Sequence, residues 1–268
     1  MVKVLPTSAE RKSVFRDRRA LLKLLGSLPL SALLADPVLA GAVARSLQTV
    51  TIRTPSGRSV SASYIAPADD GPRAAVVLFH EWWGLNSQIK AVAADLAAKE
   101  GYAVIAADLF GGAVATSPDA ARALVNAVDE AAALETAAAW LDWAKAGGAQ
   151  KLGTLGWCFG GGWSLNASLV RPVDATVIYY GNLVKPASAL KALKGPVLGH
   201  FGRRDPHINA AMVDGFEKAM AAAGKALTTY WYDADHAFAN PTGAHYDEQD
   251  AALAWTRTTD FLRKNLVG

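Results

Sequence analysis

The chain carries one cysteine, Cys158, in 268 residues, so it can form neither an internal disulfide nor a cysteine-built metal cluster. Long apolar runs are scarce as well. The apolar stretch from Leu24 to Ala35 falls short of the about 20 residues that cross a bilayer, so no stable membrane anchor is expected. The formal net charge is only +3, and residues 1–44 alone hold seven basic side chains against three acidic ones. The remainder is close to neutral, which leaves no basic face for nucleic acid. No internal repeat or disordered linker interrupts that remainder, and the length suits a leader followed by one domain with a substantial core.

The front segment reads as a targeting sequence. Asp17-Arg18-Arg19-Ala20-Leu21-Leu22-Lys23 resembles a twin-arginine export motif, and the apolar stretch that follows leads to a small-residue site at Ala42-Val43-Ala44. Basic, apolar and small-residue regions stand in the order that a cleaved signal requires. Export to the periplasm is the expectation, with a leader over 1–44 and a folded domain over 45–268. The alternative is a basic amphipathic helix at the start of a cytoplasmic protein.

Beyond residue 45 the pattern alternates between strand and helix. Leu47 to Thr54 and Ser59 to Ile65 are β-branched segments around Pro55-Ser56-Gly57, a hairpin signal. Apolar runs at Ala74–Phe79, Tyr102–Ala107, Lys151–Leu155, Ala175–Tyr180, Pro196–Phe201 and Ala226–Tyr232 read as strands. Helical patterns lie between them, over Ser87–Glu100, Ser117–Ala146, Gly162–Leu169 and Asn209–Ala223, and a last one runs over Asp247–Asn265. Asp69-Asp70-Gly71-Pro72 reads as a turn. Such alternation predicts an α/β fold: a mostly parallel central sheet, helices on both faces and an N-terminal β-hairpin.

In a sheet of this kind functional groups collect beyond the carboxyl ends of the strands. Gly156-Trp157-Cys158-Phe159-Gly160-Gly161-Gly162 puts the lone cysteine on a strand-to-helix turn, where small neighbours leave room for a strained backbone. The positive end of the following helix faces the sulfur and favours its thiolate. A phosphate-binding loop would place Lys and Ser/Thr after the last glycine, and Trp163 stands there instead. Four polar clusters share that edge: His80-Glu81-Trp82-Trp83, Asp108, Arg203-Arg204-Asp205, and Asp233-Ala234-Asp235-His236.

A cysteine nucleophile needs a base, and the base needs an orienting acid. His236, late in the chain and after a strand, is the base of choice, with Asp205 as its acid and Asp233 or Asp235 as rivals. His200 reads as a core residue, His207 as a loop-shaping one, and His80 as part of a loop that supplies a donor. Backbone N–H groups of Phe159 and Trp82 would bind a developing oxyanion. Asp108 reads as a loop brace.

Together, Gly-x-Cys-x-Gly-Gly at 156–161, the Glu81 loop, Tyr179-Tyr180-Gly181, Asp205 and His236-Ala237-Phe238-Ala239 resemble the dienelactone hydrolase family of the α/β-hydrolase fold, from about Leu47 to the end. The resemblance implies a Cys158–His236–Asp205 triad that cleaves an ester or lactone through a thioester. It also implies that Glu81 hydrogen-bonds the resting thiol and assists its ionisation. Family members hold a substrate carboxylate with arginines, one shortly after the histidine, where this chain has Asn240. Arg122 is a candidate substitute charge, and Trp83, Trp157, Tyr180, Phe238 and Asn240 are the remaining candidate substrate contacts. With Trp82 and Phe159 they make an aromatic pocket, so an aryl or alkyl ester is an alternative to a lactone. A redox-sensing binding protein on a hydrolase scaffold is a second alternative, and metal-dependent hydrolysis through His80 and Glu81 a third. No cofactor and no metal are expected, the partner is a small-molecule ester or lactone, and the state is a monomer.

Overall fold

The computed structural model describes residues 25, 28–66 and 74–267. The stretch Asp17 to Lys23 and the turn at Asp69-Asp70-Gly71-Pro72 therefore lie outside the described residues. Eight strands form one sheet: β1 (Gln48–Arg53), β2 (Ser59–Ile65), β3 (Ala74–Phe79), β4 (Ala103–Ala107), β5 (Lys151–Trp157), β6 (Ala175–Tyr179), β7 (Val197–Gly202) and β8 (Leu227–Tyr232). Their order is β1-β2-β4-β3-β5-β6-β7-β8, with β1 and β2 antiparallel to their neighbours and the other pairs parallel. The expected hairpin and mostly parallel sheet are both present.

Strand β3 shows how one sequence serves two layers. All six of its residues are buried, and the side chains alternate between faces because successive residues of a strand point to opposite sides. Val76 and Leu78 join a core with α3 (Ser87–Glu100) and α9 (Glu248–Leu266), whereas Val77 and Phe79 join α5 (Glu130–Ala146) and α6 (Phe159–Val170). Helix α8 (Ala210–Ala222) covers β7 on the α6 side, with Phe216 and Met220 against Phe201.

Three details differ from the sequence expectation. The helical pattern from Ser117 to Ala146 is two helices, α4 (Pro118–Asn126) and α5, because Asp129 caps a new start by accepting from the amide of Ala132. The helix after Cys158 begins at Phe159, one turn earlier than read. The third difference is larger. Residues Leu30–Ala35 (α1) and Pro37–Ser46 (α2) are helices whose Leu33, Leu34, Ala40 and Val43 share the core of α3 and α9. Val43, in the middle of the expected cleavage site, is 0% exposed. In the full chain the stretch over 28–46 is a packed strap. No helix among the described residues is long and apolar enough to cross a membrane.

Candidate active site

Cys158 sits between β5 and α6 with φ 54° and ψ −117°, a conformation that disfavours side chains and is held only by close packing. Its neighbours show what holds it. A Cβ on Gly156 would lie 2.0 Å from the Gly160 carbonyl oxygen, and one on Gly160 would lie 2.1 Å from that of Phe79. Strand β3, the turn and the first turn of α6 therefore touch backbone to backbone. The Cys158 amide donates to the Tyr179 carbonyl at 3.0 Å, which ties the turn to β6 as well.

The sulfur points at a histidine. His236 Nε2 lies 3.3 Å from Cys158 Sγ, and His236 Nδ1 lies 2.6 Å from Asp205 Oδ2. Because the second oxygen of Asp205 accepts the amides of His207 and Ile208, at 2.8 and 2.9 Å, the carboxylate is fixed in place. Burial opposes its charge, but the hydrogen bonds from His236 and these amides win and hold Asp205 below the ordinary carboxylate value. Burial likewise opposes a charged His236, yet the hydrogen bonds to Asp205 and Cys158 carry its pKa up to about 10. A proton is thus strongly favoured on this ring.

The two rival acids are accounted for. Arg204 pairs with Asp233 at 2.6 Å and with Asp235 at 3.3 Å on the outer side of the loops that carry Asp205 and His236. These ion pairs tie the two loops together. His80 is fully buried: its Nε2 accepts from the Leu109 amide at 3.2 Å, so its Nδ1 donates to the Glu81 carbonyl at 2.6 Å. Burial lowers its pKa, which keeps it neutral with both nitrogens engaged. Asp108 accepts from the Phe110 and Gly112 amides and braces its loop as expected.

Glu81 is buried beside this pair, and burial raises its pKa to about 7 despite His236 and two hydrogen bonds. Asn240 Nδ2 donates to Oε2, and the Tyr180 hydroxyl donates to Oε1 at 3.4 Å. The expected contact between Glu81 and the thiol is replaced by these two. Asn240 is itself buried and spends its oxygen on the amide and hydroxyl of Thr242, so both ends of its amide group are engaged within the protein. Tyr180 and Phe238 are fully buried, Tyr180 edge-on to His236 at 5.2 Å and Phe238 packed between Tyr180 and Tyr232. Trp157 is buried against Tyr179.

On the solvent side, the half-buried Trp82 and Trp83 rings lie 4.9 Å apart in a turn closed by the Gly84 amide donating to the Glu81 carbonyl. That bond leaves the Trp82 amide at the turn's centre unused by the turn itself. Phe159 opens α6, where the first amides have no acceptor within the helix. The Phe110 and Phe159 rings lie 5.3 Å apart, both beside the His80 ring. Arg122 is elsewhere: it pairs with Asp119 at 3.2 Å on the exposed side of α4 and is not brought to the cluster. Among the described residues no group of three His, Cys, Asp or Glu side chains could hold a metal ion.

Cys158 on the turn after β5, Asp205 after β7 and His236 after β8 stand together at one edge of the sheet, and the class is that of the α/β-hydrolase fold. Residues 60–266 match the profile of the dienelactone hydrolase family, and the chain belongs to that family. The carboxymethylenebutenolidase of Rhodococcus opacus is 32% identical over 222 residues, spanning 75% of this chain and 85% of its own. That of Pseudomonas putida is 28% identical over 80% of this chain and 94% of its own. Among solved structures, a candidate dienelactone hydrolase from Klebsiella pneumoniae superposes with a TM-score of 0.72 at 28% identity, covering 81% of this chain and 99% of that one. A dienelactone hydrolase-like promiscuous phosphotriesterase from metagenomic libraries gives the same TM-score of 0.72 at 24% identity, over 82% and 98% of the two chains, a likeness of fold.

Proposed function

We propose that this hydrolase cleaves an ester or lactone through a thioester on Cys158, with His236 as base and Asp205 as its orienting acid. The observation that carries this reading is the chain of contacts from sulfur through imidazole to carboxylate, at 3.3 and 2.6 Å, with the sulfur on a strained turn. His236 Nε2 takes the thiol proton, and the sulfur adds to the acyl carbon. The amides of Phe159 and Trp82 hold the oxyanion, an interaction whose loss costs about 2.7–4 kcal/mol per donor. Collapse expels the alkoxide, which takes the proton from Nε2. Water then gives a proton to Nε2 while its oxygen attacks the thioester, and breakdown returns the acid and the thiol.

An uncharged acyl group suits the site. Asn240 is committed to Glu81 and Arg122 to Asp119, so neither residue supports a substrate carboxylate, while the aromatic side chains of Trp82, Trp83, Phe110 and Phe159 favour an aryl or alkyl ester. The carboxymethylenebutenolidase relatives keep a lactone as the second substrate class to test. A panel of lactones, aryl esters and alkyl esters, assayed on wild type, Cys158→Ala, Cys158→Ser and Asp205→Asn, decides the matter. Cys158→Ala abolishes turnover, Asp205→Asn lowers kcat about 10³–10⁴-fold, and intact mass shows one acyl adduct on wild type. Unchanged hydrolysis in Cys158→Ala overturns the reading. Export of the chain is proposed from its first 44 residues, and N-terminal sequencing of the protein recovered from a periplasmic fraction tests it.

A further inference from the structure

Next to Glu81 lies a cavity of about 270 Å³. Its walls come from the strap, α3, α9 and the sheet, and include Leu34, Glu81, Val92, Trp157 and Trp255, whereas Cys158 and His236 do not line it. We propose that this cavity is a second ligand site, for a small uncharged aromatic molecule bearing one hydroxyl group, which donates to Glu81.

Size, walls and charge each narrow the ligand. An apolar cavity of about 150 Å³ is enough for benzene, so this one holds a ring with a substituent. Trp157, Trp255, Tyr179 and Tyr180 supply aromatic surface, which favours a flat ring in stacked or edge-on contact. Lys99 also reaches the lining, but its ammonium lies 2.6 Å from the buried Asp95 carboxylate, so it offers no free positive charge to an anion. Glu81 is the one acidic residue among those that line the cavity, and it is buried. Its Oε1 accepts only the long bond from Tyr180, while Oε2 takes the Asn240 amide, so Oε1 retains a lone pair for another donor. A phenolic hydroxyl meets that need; an ether or a carbonyl does not.

The site shares Glu81 with the catalytic cluster, and the test therefore separates the two locations. Full-length protein is titrated with 4-ethylphenol and with ethylbenzene, read by tryptophan fluorescence and by Tm, before and after iodoacetamide has capped Cys158. Saturable binding of 4-ethylphenol is expected, retained after capping, and at least tenfold tighter than that of ethylbenzene. Val92→Phe, which fills the cavity, weakens it at least tenfold, and so does Ala251→Phe on the α9 wall, a second variant in case the first fails to fold. Loss of binding on capping, equal affinity for the two probes, or undiminished binding in a folded filled variant overturns the proposal. So does the absence of saturable binding.

Discussion

At the scale of the residue, Glu81 is expected to shape the pH behaviour of the site. Its carboxyl group is raised to about 7 by burial, and the ionised form is one of the charges that favour an imidazolium on His236. The expected kcat/KM profile rises as pH passes about 7 and falls as His236 loses its proton at about 10. Glu81→Gln removes the lower limb. Asn240→Ala takes away a buried donor, so the lower limb moves to higher pH and stability drops by about 1–3 kcal/mol, checked by pH–rate profiles and urea unfolding. A limb unmoved in Asn240→Ala would detach Asn240 from this role. The cluster of Cys158, His236 and Asp205 was legible in the sequence because each follows a strand at one edge of the sheet. Asn240 was not, because its partner stands 159 residues away and only the folded chain brings the two together.

At the scale of the element, the turn between β5 and α6 is a contact of three backbones. Gly160→Ala would place a methyl group 2.1 Å from the Phe79 carbonyl oxygen, and neither side can yield without moving β3 or α6. Destabilisation of at least about 1–3 kcal/mol is expected, together with a loss of activity as Cys158 shifts. Urea unfolding and ester turnover measure the two effects. By contrast, a Cβ on Gly162 meets nothing closer than 3.5 Å, so Gly162→Ala is expected to keep both. The alternation of apolar strands and capped helices made this architecture readable from residue types. The break between α4 and α5 hung on one cap, Asp129, inside a long alanine-rich pattern, and was lost in it.

At the scale of the whole molecule, two groups push stability in the same direction. Glu81 and His236 both have raised values in the folded state, from 4.5 to about 7 and from 6.5 to about 10. Each therefore favours the fold fully below its unfolded value and loses that contribution as pH rises through its folded value. Glu81→Gln is expected to flatten the decline in Tm between about pH 4.5 and 7, followed by thermal melts across that window. The strap over 28–46 contributes separately. Leu33 is 1% exposed, and Leu33→Ala is expected to cost about 2–5 kcal/mol and to speed proteolysis ahead of β1. Its apolar run was visible in the sequence, but the same composition serves a signal and a core helix alike, and the packing on α3 becomes visible only in the folded chain. A peptidase needs an extended stretch, and Val43 offers none while α2 is docked. Under the proposed cleavage at 42–44, folding and cutting compete in time: molecules that fold first keep the roof of their cavity, and molecules cut first never have one.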